Sequence, residues 1–201
     1  MVFFNCINQI CYNYCVINMN IEQTEKEQLI RIKNKEYFEE WFDIVKPYLL
    51  SDEFQIRKKF THHHDSVYNH AVMVSYKSFV FGKKHNVDPK LCAIAGLLHD
   101  FFPCTWRKSF ELDNISPEYN RRIREKSFKV KIHGFLHGKE ASENIIKYFP
   151  ELNNKIIQDA VSHHMFPLTL PPKTKVGWVI TLMDKVDATV DVIGINKKER
   201  N

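Results

Sequence analysis

Apolar residues along most of this 201-residue chain recur at three- and four-residue spacing, the period of a helix with one buried face. From Ile21 to Val45, the positions Leu29, Ile30, Ile32, Tyr37, Phe38, Trp41, Phe42 and Val45 stand among Glu and Lys, which predicts a helix over 21–45 closed by Pro47. Val67, Ala71, Val74, Ser75, Ser78 and Phe79 give one face to a second helix over 66–84, with Ser66 as its N-cap. Asp88-Pro89 is an N-cap followed by proline at the first helical position, so a third helix should run through LCAIAGLLHDFF to about Phe101. That helix is apolar on nearly every side, which makes it central. Further helices are predicted over 138–149, 151–164 and 174–193, with Pro150 and the prolines at 167, 171 and 172 between them. No alternating strand or hairpin turn stands out after residue 21, and the fold class is all-α.

Two stretches depart from this pattern. Residues 1–18, MVFFNCINQICYNYCVIN, carry no charge and read as an N-terminal extension to about residue 20. They are either an over-extended reading frame with Met19 as the start, or a short buried or partner-facing element. Residues 103–132 carry Pro103, Pro117 and dense charge without clear periodicity, and read as a basic insertion, either irregular or a short helix, in a single helical domain over 21–201.

Composition narrows the class. A 44% hydrophobic share with 26% charged residues is that of a globular domain with one core. The net charge of +5 favours a phosphorylated ligand by raising its local concentration, without pointing to nucleic acid. No zinc-finger or helix-turn-helix signature, and no basic stacking platform, is present, so nucleic acid is disfavoured as a partner. The five cysteines, Cys6, Cys11, Cys15, Cys92 and Cys104, are odd in number and lack CxxC, which argues against a disulfide framework. No run approaches the ~20 apolar residues of a spanning helix and no secretory leader is evident, so the expected place is cytoplasmic, with no membrane partner.

The ten histidines include several tight groups and direct attention to metal chemistry. His99-Asp100 ends the most apolar helix. Alone, such a pair is an ordinary cap or salt bridge, but a buried carboxylate needs a partner and a cation is one of the few that suffice. His70 lies mid-helix in SVYNHAVMVSY and Asp184 mid-helix in VGWVITLMDKV, each among apolar neighbours. Three apolar helices that each carry a buried polar group point to one convergent site.

The order His70, His99-Asp100, Asp184 resembles the H…HD…D signature of the HD-domain superfamily of metal-dependent phosphohydrolases, over about residues 55–193. The chain is most similar to small bacterial HD-domain proteins, through His62…Ser-Val…His70, GLLHD, LHGFLH ending at His137, HMFPLT starting at His164, and Asp184-Lys185. The resemblance implies a helical bundle with two divalent cations (Fe, Mn or Zn) on His70, His99, Asp100, His137, His164 and Asp184, with Asp100 as the bridge. It implies hydrolysis of a small phosphorylated compound, a nucleotide in the first instance, by metal-activated water. Asp100 and Lys185 are the residues placed in catalysis. His62, His133, Lys185, Arg121 and Arg122 are the candidates for substrate contact, and Lys185 alternatively supports the ligand beside it.

Several neighbours keep two readings. The segment EYNRRIREKSFKVK at 118–131 is either a lid over the site or a solvated charged loop. His163 adjoins His164 and either ligates, orients or faces water, and the MxPLT that follows favours His164. Asp187 is a weaker alternative to Asp184, its plain reading being a surface residue paired with Lys185 or Lys173. His63 and His64 read as solvent-exposed.

No GxSxG or Cys-His setting offers a side-chain nucleophile. After His164 there is no GYP, so the cyclic-dinucleotide phosphodiesterase subgroup is unsupported. Asp100 is followed by Phe-Phe-Pro without the acidic residue three positions on that serves as base in deoxynucleotidase and guanosine-polyphosphate hydrolase members. Two other functions fit the ligand order: a di-iron oxygenase using O2, and a regulatory module that binds metal or nucleotide without turnover.

Overall fold

The structure, a computed structural model, describes residues 26, 29, 32–33, 35–59, 61–62, 65–101 and 133–193. The uncharged stretch 1–18 and the basic segment 103–132, with Arg121 and Arg122, lie outside the described residues, as do His63 and His64. Among the described residues the helices are α1 (Phe38–Leu49), α2 (Asp52–Gln55), α3 (Val67–His85), α4 (Pro89–Leu98), α5 (His133–Tyr148), α6 (Lys155–His163) and α7 (Lys175–Ile193), with 3-10 turns at Ile56–Lys59 and Pro150–Leu152. The all-α class holds.

Most start and stop signals act as their chemistry dictates. Ser66 has an extended backbone and its Oγ accepts the Asn69 N–H at 3.0 Å, which starts α3. Asn86 ends that helix in the left-handed conformation at φ 54°. Asp88 Oδ1 accepts the Leu91 N–H at 3.0 Å and Pro89 opens α4. Thr174 Oγ1 accepts the Gly177 N–H at 3.1 Å in the first turn of α7.

Other boundaries differ from expectation. The single helix expected over 21–45 is interrupted at Tyr37, which adopts a left-handed φ of 62°. Helix α1 starts only after it and runs through Pro47 to Leu49. Pro47 is tolerated because it sits in the last turn, where the loss of one N–H and one backbone contact is confined to the helix end. Helix α4 stops at Leu98 rather than about Phe101, leaving His99 as its C-cap. Helix α5 starts at His133, five residues earlier than expected, and α6 starts at Lys155, after the Pro150–Leu152 turn. A minimal antiparallel pair, Thr61–His62 (β1) with Asp65–Ser66 (β2), precedes α3 and was not anticipated.

The core forms around the crossing of α3 and α4. Every residue from Cys92 to Leu98 is buried, as the all-round apolar character of that helix requires. The two backbones approach so closely at Gly96 that a Cβ there would lie 2.8 Å from Ser75 Cα. Ser75 is fully buried and satisfied twice: its hydroxyl donates to Ala93 O at 2.7 Å and accepts from Trp41 Nε1–H at 2.9 Å. One small polar side chain thus pins α1, α3 and α4 together. Trp41, Phe42, Val45 and Leu49 of α1 fill the adjoining space with Phe79 of α3. On the other side α5, α6 and α7 close the bundle, and Gly138 lets α5 approach the end of α6, where a Cβ would meet Val161 O at 2.8 Å.

The Gly96→Ala substitution should lower stability by about 1–3 kcal/mol, because the added methyl group must displace backbone rather than a side chain. Urea unfolding of the variant against the wild-type protein measures this, and an unchanged midpoint would show that the crossing is looser than described.

Candidate metal centre

Four histidines and two aspartates from five places in the chain converge between these helices. His70 projects from the second half-turn of α3, His99 and Asp100 follow the end of α4, His137 comes from α5, His164 caps α6, and Asp184 comes from α7. His70, His99, Asp100, His137 and His164 are buried, and Asp184 is partly so.

Local hydrogen bonds determine which ring nitrogen each imidazole offers. His99 Nδ1 donates to Gly96 O at 2.8 Å and His164 Nδ1 donates to Val161 O at 2.7 Å, each to a carbonyl three residues back at its own helix end. His70 Nδ1 lies 2.8 Å from Asp187 Oδ2 and donates to it. In all three, Nδ1 is engaged by an acceptor outside the cluster, so Nε2 is the atom turned to the common centre.

There the contacts are of a kind that protein groups alone do not satisfy well. His70 Nε2 lies 3.2 Å from Asp184 Oδ1 and 3.3 Å from His99 Nε2. His99 Nε2 is 3.6 Å from both Asp184 Oδ1 and Asp100 Oδ2. His137 Nε2 and His164 Nε2 are 2.9 Å apart, and lie 3.4 and 3.6 Å from Asp100 Oδ1. That Asp100 oxygen is buried and has no hydrogen-bond partner among the described residues. Lone pairs facing lone pairs around an orphaned carboxylate oxygen need cations or added protons between them. Two groups, His70 with His99 and Asp184, and His99 with Asp100 and His164, each bring three ligand atoms within 4.8 Å of one another, a spacing that admits a metal ion. Imidazole and carboxylate donors suit divalent ions of the Fe, Mn and Zn kind. The residues present fit the group.

The electrostatics show what the pocket does without a cation. Burial works against a charged His70, but the hydrogen bonds it donates to Asp184 and Asp187 outweigh that and raise the imidazole to about 10. Burial likewise opposes a charged His99, and the Asp100 charge and Asp184 outweigh it and raise that group as well. Burial would raise Asp100 and Asp184; His99 and His164 hold the first well below the usual carboxylate range, and His70 and His99 do the same for the second. Protons thus occupy the centre when metal does not, and a cation must displace them.

Asp187 corrects its plain reading as a surface residue paired with Lys185 or Lys173. It is 6% exposed, and its second oxygen accepts from Lys77 Nζ at 2.6 Å. The signal for it was spacing: Asp187 is one turn beyond Asp184 and Lys77 two turns beyond His70, each pair on one helix face. His163 is outside the cluster, with Nδ1 3.0 Å from Asp159 Oδ1. Lys185 Nζ donates to His164 O at 3.2 Å, which fits the supporting alternative of its two readings. His133 opens α5 and His62 lies in β1, but their side chains are outside the described part of the structure.

The His70 shift has a sign that can be checked. A folded-state value of about 10 against an ordinary 6.5 means that the folded, metal-free protein keeps a proton that the unfolded chain releases. The associated stability is complete below about pH 6.5 and lost as pH rises toward 10. Chelated protein should therefore show a melting temperature falling over that range, by more than in His70→Gln, and saturation with Mn2+ should remove the fall. Equal slopes in the chelated wild type and the variant would show that His70 does not hold the proton.

Residues 67–189 match the family described as HD domain. No curated protein and no solved structure matches the chain. The matched stretch begins with the helix that carries His70 and ends just past Asp184 and Asp187, so it contains every residue of the cluster. It covers more than half of the sequence, and the chain belongs to the HD-domain family.

Proposed function

We propose that this protein is a metal-dependent phosphohydrolase whose substrate is a small phosphorylated compound of the nucleotide class. Proteins of the HD-domain superfamily are in general metal-dependent hydrolases. The observation that carries the two-cation form of the reading is the placement of Asp100: its Oδ2 faces His99, while its Oδ1 faces His137 and His164. One carboxylate with an oxygen toward each half of the cluster is the arrangement a bridging ligand requires. In this reading His70, His99 and Asp184 would hold one cation, His137 and His164 would hold the other, and Asp100 would be shared between them.

When bound, such a pair supplies Lewis-acid charge for a phosphoryl oxygen and lowers the pKa of a water molecule. The chain's own contribution is to keep four imidazoles turned with Nε2 inward and the cluster buried, so that charges within it act at short range in a medium poorer than water at screening them. Lys185 braces the main chain at His164. His62, His133, Arg121 and Arg122 are assigned to contact with substrate, on the resemblance and on their charge. The net charge of +5 favours capture of an anionic substrate.

Elemental analysis tests the reading first. About two divalent cations per chain are expected in the wild type and fewer in both His99→Ala and His137→Ala, with anaerobic phosphate release from a panel of nucleotides and phosphoesters abolished by chelation. One cation retained in His137→Ala and in the wild type alike would reduce the site to a single metal. Iron with substrate-dependent O2 uptake and no phosphate release would replace the hydrolase with an oxygenase, and metal without turnover would leave a binding module.

A further inference from the structure

The His70 imidazole is clamped between two carboxylates of the same helix. On α7, Asp184 and Asp187 are three residues apart and share a face; Asp184 Oδ1 approaches His70 Nε2 at 3.2 Å, and Asp187 Oδ2 approaches His70 Nδ1 at 2.8 Å. The two carboxylates differ in what else they touch. Asp184 Oδ1 also faces His99 Nε2, within the cluster. Both Asp187 oxygens are already engaged, Oδ2 by His70 and Oδ1 by Lys77 Nζ at 2.6 Å. Lys77 stands two turns after His70 on α3, so the same helix that offers the imidazole also offers the ammonium that holds its carboxylate partner.

We propose that Asp187 is a positioning residue for the metal centre: tethered by Lys77, it holds the His70 ring with its proton on Nδ1, so that Nε2 is the atom presented to a cation. The proposal rests on the metal-centre reading above. It divides the two α7 carboxylates into a ligand, Asp184, and an outer brace, Asp187. Neutralisation by Lys77 gives the brace a further property: the carboxylate is kept from turning into the centre and competing for the cation, because rotation would break a short ion pair as well as the bond to His70. The other imidazoles of the cluster whose Nδ1 bonds are described lean on backbone carbonyls at their own helix ends, Gly96 for His99 and Val161 for His164. His70 sits near the start of its helix, where backbone N–H groups rather than carbonyls are unpaired, so an acceptor must come from another element. Asp187 meets that need.

Affinity for Zn2+, measured by competition with a chromogenic chelator, separates this role from a merely structural one. Asp187→Ala should bind Zn2+ 10–100-fold more weakly. Asp187→Asn, whose side-chain oxygen still accepts from Nδ1–H, should recover most of that loss. Side-chain 15N NMR of the Zn2+-loaded wild type should show His70 with its proton on Nδ1 and the metal on Nε2. This readout needs no variant and stands even where Asp187→Ala fails to fold. The opposite tautomer, or a folded Asp187→Ala with wild-type affinity, would overturn the positioning role while leaving the metal centre intact. A wild-type protein that takes up no Zn2+ would overturn both.

Discussion

The close crossing of α3 and α4 is the constraint from which the rest of the architecture follows. It is made by Gly96, which has no Cβ to separate the backbones, and by Ser75, whose hydroxyl joins Ala93 O of α4 to the Trp41 indole of α1. Five residues before Ser75 stands His70, and three after Gly96 stands His99. The distance between those two imidazoles is therefore determined by how closely the two helices cross. A wider crossing would leave His70 Nε2 and His99 Nε2 too far apart to share a cation with Asp184. Packing and chemistry are one problem here, and the least reactive residues at the crossing set the geometry of the most reactive ones.

The convergence of polar groups was legible because burial of a charge is costly enough to leave a mark in sequence. His70, the His99-Asp100 pair and Asp184 each interrupt an apolar run, and a fold cannot absorb three such interruptions without bringing them together or satisfying them separately. Caps were legible for a similar reason, since Ser66 and Asp88 supply oxygen where backbone N–H groups lack partners. Tyr37 was not, because a left-handed residue other than glycine or asparagine has no local signature in sequence. Nor was the continuation of α1 through Pro47, where proline's ordinary role as a terminator gives way to its harmlessness in a last turn.

Asp187 shows the limit more sharply. Its neighbours Lys185 and Val186 are exposed, and nothing adjacent in sequence marks it as buried. Only when α3 and α7 are laid side by side do two pairs of like-spaced residues, His70 with Lys77 and Asp184 with Asp187, form one alternating chain of charge. Local pattern identifies which residues face inward on one helix. It does not say which inward face of another helix they will meet, and the role of Asp187 is a property of that meeting.

His99 and His164 occupy equivalent places: each is the C-cap of its helix, and each returns its Nδ1 proton to a carbonyl three residues before it. Helices α4 and α6 thus end at the cluster, with the negative end of their backbone dipoles nearest to it. The backbone itself lends the centre negative potential that no substitution of a side chain removes. Such a potential favours cations over anions, so the pull on a metal ion comes from the main chain as well as from the Asp100 and Asp184 carboxylates. Part of the affinity of the centre is in that sense built into where two helices stop.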